Sequence, residues 1–473
     1  MHQNLAANLI EELAPLIADK QISPVEVTAS VLELAEKYNP VINAYIRIDA
    51  DGAMAAASRA EAEIAAGNYK GALHGIPMAL KDIFHLKGAV ATMGSKIHGN
   101  FISDYDAAVV AKLKEAGVVM TGTLNMTEYA WGGRTNNAHY GQGRNPWDPS
   151  RIPGGSSGGS GAAVAADISV ASIGTDTAGS IRIPSSACGI VGLKPTHGRV
   201  SKYGCFPLSW SLDHVGPMTK SVTDAAFILQ AIAGYDPNDP TTLNVPVPVY
   251  TDYLSESLKG MVIGIDEDYY FKDVDPGVES AVLNAISVLE KLGAVIKKVS
   301  VPYIHQAMYA EYTTAMGESS AIHHNHLKSR PMDFGYTVRR NLAMGELLSA
   351  SDYLMGQQLR RKITEGFSEV FKSVDILVSP TLPIVAPLVE EEVSHINGAH
   401  VEDELIRLTC PSNLAGLPSL TVPCGFSKGL PVGLQFIGSP FSEGKLLNAG
   451  YAFERTNLLR FQKPNLHTYV LAE

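Results

Sequence analysis

Residues 154–161 read Gly-Gly-Ser-Ser-Gly-Gly-Ser-Gly, and the apolar run Ala162-Ala163-Val164-Ala165-Ala166 follows at once. A second stretch, Gly174-Thr175-Asp176-Thr177-Ala178-Gly179-Ser180-Ile181-Arg182, lies just downstream. Glycine admits positive φ and lets a ligand approach the backbone. Serine offers a nucleophile or a proton relay. Three local readings compete for the first stretch. A phosphate loop needs Lys and then Ser or Thr after its last glycine, but Ser160 and Gly161 stand there. A nucleophile elbow, G-x-S-x-G, fits Gly155 to Gly159, yet it should close a buried strand, and Asp148 to Pro153 reads as a loop. A flexible linker should separate two domains, whereas here a buried helix follows. The two stretches are read together as the walls of one hydrolytic site.

With 473 residues, 45% hydrophobic and 18% charged, the chain can bury a large core and has the balance of an ordinary soluble globular protein. A formal net charge of -11 argues against a nucleic-acid-binding surface, so no direct nucleic-acid partner is expected. Met1 to Lys20 is polar and helical in pattern, which is not a signal peptide. No apolar run approaches membrane-spanning length, so no membrane partner is expected. Cys188, Cys205, Cys410 and Cys424 lack paired metal-ligand spacing and read as small buried hydrophobes. A reducing cytoplasm fits this usage.

Residues 4–18 and 52–66 read as helices, and Ser23-Pro24-Val25-Glu26 as a capping box opening another. Strand and helix then alternate. Ile76 to Leu80 is a short apolar strand ending at Lys81. A helix over 106–117 precedes a strand from Val118 to Gly122. Further strands are expected at Ile168–Ile173, Met261–Ile265, Val295–Val299, Asp375–Ser379, Leu420–Pro423 and Val432–Ile437, the last two joined by a turn at Ser427-Lys428-Gly429. Asp275-Pro276 caps a helix. This order predicts an α/β fold with a central mixed twisted sheet covered by helices on both faces. Residues 237–253 form a proline-rich loop, and 385–404 a polar, acidic excursion. His323-His324-Asn325-His326 has no carboxylate or cysteine at ligand spacing, so neither a metal nor another cofactor is expected.

Acyl transfer needs a nucleophile, a base and donors for the oxyanion. His197 and His214 are the histidines nearest Ser180 in sequence, and neither sits in a triad motif. A lysine serves as base if burial makes it neutral. Lys81, flanked by apolar residues, is a candidate.

Several stretches resemble the amidase signature family. They are Gly75-Ile76-Pro77 with Lys81-Asp82, the Gly/Ser stretch with Ser156 placed 24 positions before Ser180, and Asp176 to Arg182. Gly192 to Arg199, Ser211 to Pro217, Asn413 to Pro418 and Gly433 to Gly438 continue the likeness. The resemblance implies one amidase signature domain over 1–473. Its parts would be N-terminal helices (1–66), a signature core (67–235), a variable substrate-side region (236–400) and a C-terminal return (401–473). It implies Ser180 as the nucleophile and Ser156, after a cis peptide bond, as the relay to Lys81, the base. Backbone N–H groups of Thr177, Ala178, Gly179 and Ser180 would form the oxyanion hole. Ser157, Asp176 and Arg182 would support it. Ala178 departs from the family's usual glycine.

The implied reaction is hydrolysis of a carboxylic amide, with aryl amides, esters and carbamates open as substrates. A stand-alone monomer or homodimer is expected. The alternative is the glutamine-hydrolysing component of a tRNA-dependent amidotransferase. In that branch of the family, the glutamine amino group is bound by an acidic residue a few positions before Asn-Leu-Ala-Gly. Here Ile406 aligns with it, and Glu404 is two residues away. Met126, Tyr129, Trp131, Phe206 and Trp210 are candidate pocket residues.

Overall fold

The computed structural model describes residues 4–456 and 462–470. Residues 1–3, 457–461 and 471–473 of the expected N-terminal and C-terminal segments lie outside the described residues. One eleven-stranded sheet organises the chain. Its strands are β1 (Tyr45–Ile48), β2 (Pro77–Lys81), β3 (Val119–Leu124), β4 (Ala171–Asp176), β5 (Val191–Lys194), β6 (His214–Thr219), β7 (Val262–Ile265), β8 (Val295–Lys298), β9 (Ile376–Pro380), β10 (Ser419–Ser427) and β11 (Leu430–Gly438). They lie in the order β1-β3-β2-β4-β6-β5-β10-β11-β9-β7-β8. The triplet β3-β2-β4 and the triplet β9-β7-β8 are parallel, and the central pairings are antiparallel. The sheet is mixed, as the alternation predicts.

The strands read as their environments require. All nine residues of β11, Leu-Pro-Val-Gly-Leu-Gln-Phe-Ile-Gly, are buried. Such a continuous run belongs to a strand covered on both faces. The edge strand β8 is largely exposed and ends in Lys297 and Lys298, charges that discourage edge-to-edge pairing. Lys428 and Gly429 both have positive φ, 53° and 76°, so the β10–β11 turn is the two-residue hairpin that matches strand twist.

Helices flank the sheet. Those used below are α1 (Ile10–Ala18), α2 (Pro24–Ile42), α3 (Ala50–Ala65), α4 (Ala108–Glu115), α5 (Gly158–Ala165), α6 (Arg182–Cys188), α7 (Pro276–Lys291), α8 (Ala307–Ser329), α9 (Tyr336–Gly345), α10 (Ala350–Val370) and α11 (Val401–Arg407). The expected helix over 4–18 is interrupted: a short 3-10 turn at Leu5–Ala7 precedes α1. The Ser23 box caps α2, with Val25 N–H donating to Ser23 Oγ at 3.0 Å and Ser23 N–H to Glu26 at 2.9 Å. Asp275 caps α7 through the Gly277 N–H at 2.9 Å.

The sequence pattern does not predict β1, β5 or β6 as strands. β6 contains Gly216 and Pro217, which argue against a central strand. Pro217 pairs with Ile173 of β4, while the β5 ladder pairs only Met218 and Thr219. At Gly216 any side chain would strike the Leu193 carbonyl. Close packing of β5 against β6 therefore needs this glycine.

Among the described residues, no helix is long and apolar enough to cross a membrane.

Candidate active site

Parallel pairing of β2 with β4 sets Leu80 beside Ile173. The C-terminal ends of both strands therefore open on the same edge of the sheet, the usual place for ligands in α/β proteins. Lys81 ends β2, Thr175 and Asp176 end β4, and α5 starts beside them at Gly158. Gly155 makes this crowding possible, because a Cβ there would sit 2.7 Å from the Arg134 nitrogen.

Lys81 is fully buried. Its Nζ lies 2.7 Å from Ser156 Oγ and 2.7 Å from Thr175 Oγ1. Burial is the main force on this amine. It lowers the pKa to about 7, against the opposing pull of Cys205, Asp213 and Asp176. A neutral fraction at physiological pH gives Lys81 a lone pair for the Ser156 hydroxyl. The Gly155–Ser156 peptide bond is cis. Ser157 Oγ donates to the Thr175 carbonyl at 3.2 Å and accepts from the Thr175 N–H at 3.3 Å, while Ser157 N–H donates to the Ser180 carbonyl at 3.3 Å. The start of α5 is thus tied both to β4 and to Ser180.

Ser180 lies on the turn between β4 and α6, and a buried cluster fixes that turn. Asp176 and Arg182 are both fully buried and meet in a two-pronged pair, Nε to Oδ2 at 3.0 Å and Nη2 to Oδ1 at 2.9 Å. Burial alone would raise the Asp176 carboxyl, but the Arg182 guanidinium overcomes it and holds the group at about 2. Arg182 also donates to the Thr409 carbonyl (2.9 Å), Ser412 Oγ (2.8 Å), Gln435 Oε1 (2.7 Å) and Asn413 Oδ1 (2.6 Å). Asn413 closes the ring by donating to Asp176 Oδ1 at 2.8 Å. The arginine thereby ties the turn to the C-terminal segment that carries Asn413 and β11.

Between these anchors, the N–H groups of Thr177, Ala178, Gly179 and Ser180 have no acceptor among the described residues. Four consecutive unengaged donors next to a serine are what a developing oxyanion needs. Gly179 has φ +136°, and a side chain there would strike Thr409. Ala178 is outside the positive-φ region, so its methyl meets no such strain, and its carbonyl accepts from Thr409 Oγ1. Thr177 Oγ1 donates to Asp213 Oδ1 at 2.6 Å. Burial pushes Asp213 up to about 6.

Ser180 opens on a cavity of about 580 Å³ that Thr177 and Ala178 also line. This size suits a small-molecule substrate. Of the aromatic and sulfur candidates, Trp131 lines it. Met126, Tyr129 and Phe206 are not among its lining residues. Tyr129 is buried in an aromatic cluster with Phe206 and His323, its hydroxyl 2.8 Å from His98 Nδ1. Met126 is fully buried in the core. Trp210 is 47% exposed and outside the cavity. The far wall comes from the expected variable region and from α11. It includes Glu311 and Met316 of α8, Arg340 and Asn341 of α9, and Glu402 and Ile406 of α11. Glu402 and Ile406, one turn apart, share a face. Val401 and Leu405 anchor α11 against Ile183 of α6. Glu404 turns away, bonded to Asn397 at 2.9 Å and Arg407 at 3.2 Å.

His214 Nδ1 lies 2.6 Å from the Leu212 carbonyl, and burial holds the ring well below the usual histidine range. Burial lowers His197 to about 3. The His323–His326 segment lies in α8. No group of three or more His, Cys, Asp or Glu positioned for a metal occurs among the described residues. Thr175 and Asp213 contact the candidate site and Glu311 and Glu402 line its cavity, and the motifs did not single them out. Thr175 had a usable signal, since it immediately precedes Asp176 in the second stretch.

The Amidase family profile matches residues 26–447. The A subunit of glutamyl-tRNA(Gln) amidotransferase from Moorella thermoacetica is 41% identical over 96% of this chain and 98% of its own length. The protein of the same name from Geobacter sp. is 42% identical over 97% and 99%. Among solved structures, a chain from a complex described as revealing the evolutionary origins of an s-triazine catabolic enzyme superposes with a TM-score of 0.92. It is 35% identical and covers 95% of this chain and 99% of that one. A bacterial aryl acylamidase superposes with a TM-score of 0.88 at 29% identity, over 95% and 96%. The chain belongs to the amidase signature family, hydrolases of amide C–N bonds that work through a serine.

Proposed function

We propose that the chain hydrolyses a small carboxylic amide through an acyl-enzyme on Ser180, with Ser156 and Lys81 as its proton relay. The observation that carries this reading is Lys81: fully buried, lowered to about 7 and 2.7 Å from Ser156 Oγ. Ser180 Oγ attacks the amide carbon as its proton passes to Ser156 Oγ, whose own proton passes to Lys81 Nζ. The N–H groups of residues 177–180 receive the oxyanion. Lys81 returns the proton through Ser156 to the leaving nitrogen, and the C–N bond breaks. Water then attacks the ester, again losing a proton to the relay, and Ser180 is freed with release of the acid. The purified chain alone, given a panel of amides, esters and carbamates, should turn over at least one amide. Full activity in Ser180→Ala would sink the mechanism.

A second reading is the glutamine-hydrolysing component of an amidotransferase. The full-length identity of 41–42% to proteins of that name favours it. Against it, Ile406 stands at the position where that branch of the family carries its acidic residue, and Glu404 faces elsewhere, so an acid for the glutamine amino group would have to come from another part of the cavity wall. Stable co-purification with partner chains, and no turnover without them, would establish this second reading.

A further inference from the structure

Glu311 is 2% exposed, and neither of its carboxylate oxygens has a hydrogen-bond partner. No other buried carboxylate among the described residues has both oxygens in that state. Asp176 is paired with Arg182, Asp213 accepts from Thr177 and two backbone N–H groups, and Glu318 accepts from Ser209 and Ser211 at 2.6 Å. Arg360, the charge that most opposes the effect of burial on Glu311, spends donors elsewhere, on the Leu414 carbonyl, Ser211 Oγ and the Ser211 carbonyl, each at 2.8 Å. Burying a carboxylate without partners is costly. Glu311 lines the cavity that Ser180 also lines, so the missing donor can come from whatever occupies that space.

We propose that Glu311 is a specificity residue: its carboxylate receives a primary ammonium group carried by the substrate, beside the amide presented to Ser180. The hydrolase reading underlies only the second half of that statement. An ammonium supplies three donors and a full charge. Burial holds the free carboxyl well above the usual carboxylate range, and an arriving cation restores its charge. The other charged groups on the cavity wall each have at least one partner. Glu402 Oε2 accepts from the Gly133 N–H at 2.8 Å, and Arg340 directs Nε and Nη2 at Asn341 Oδ1, at 3.2 and 3.1 Å.

The test reads binding without turnover. Alkylammonium ions from ethyl to hexyl, each against the alcohol of equal chain length, are titrated into the Ser180→Ala protein by calorimetry at neutral pH. The ammonium should bind about tenfold tighter for at least one length, as a charge-assisted bond provides. Adding Glu311→Gln should bring that ratio to about one, and Glu311→Leu should do the same if the glutamine variant does not fold. Glu402→Gln should lower the ratio less. A ratio near one at every length overturns the proposal. So does a preference that survives loss of Glu311, or one removed only by Glu402→Gln. Failure of the hydrolase reading would appear separately, as absence of amide turnover by the wild-type chain, and would leave these binding ratios unaltered.

Discussion

Arg182 and Glu311 are both buried ionisable side chains at one site, and the fold treats them in opposite ways. Behind Ser180, Arg182 meets Asp176, Asn413, Ser412, Gln435 and the Thr409 carbonyl. Across the cavity, Glu311 meets no donor among the described residues. A saturated polar network specifies one geometry. It would suit the wall proposed to hold backbone donors still while charge develops. An unsatisfied group specifies nothing until a ligand arrives. On the proposed reading the two walls divide the labour: one serves the reaction, the other the choice of what reacts.

The largest effects should come from the reacting wall. Ser180→Ala and Lys81→Met should each lower kcat/KM by about 10⁴-fold or more on any amide the wild type cleaves. Intact-mass spectra should show no acyl adduct in either variant. A Lys81 variant that acylates at the wild-type rate would remove the relay from the reacting wall altogether.

Stability should separate the walls by sign. Arg182→Leu strands a buried Asp176 carboxylate and should cost about 3–5 kcal/mol in urea denaturation. Glu311→Leu removes a group that folding leaves unpaired and should stabilise by about 1 kcal/mol. Equal losses in both would erase the distinction between a closed network and an open one.

The pH profile sharpens the account of Lys81. The form that accepts a proton is the neutral amine, and burial lowers this amine to about 7. On a neutral amide, kcat/KM should therefore rise about tenfold per pH unit below that value and level off above it. Thr175→Val removes an oxygen that lies 2.7 Å from Nζ. The ammonium then loses an acceptor, so the limb should move to lower pH. A limb that stays in place would make Thr175 a packing residue only.

The placement of the proposed reacting residues was legible because they are local in sequence. Lys81, Ser156 and Ser180 sit in compact runs, and the strand read at Ile76–Leu80 is observed at Pro77–Lys81. The far wall was not. Glu311, Arg340 and Glu402 come from three helices, α8, α9 and α11, and only their packing brings them to one cavity. No short motif can carry that. Trp210 shows the converse: it is near the signature residues in sequence, yet its ring is largely in solvent. β5 and β6 escaped for another reason. Gly192, Gly216 and Pro217 break the strand pattern, and each is accommodated by tight packing or ladder geometry that only the assembled sheet reveals.

Ala178 lines the cavity two residues before Ser180, and the smallest expected effect belongs there. Its side chain helps line the cavity, while its N–H is one of the four unengaged donors. Its φ is not positive, so glycine gains nothing in backbone strain and adds freedom to the unfolded chain. Ala178→Gly should cost about 0.5–1 kcal/mol of stability. The donor survives the substitution, so kcat/KM for small amides should stay within about threefold, and amides with a bulkier acyl group should gain most from the space released. Paired kcat/KM values for acetyl and benzoyl anilides check this. A loss above about thirtyfold for both would show that the methyl, and not the N–H alone, holds the amide donors in line.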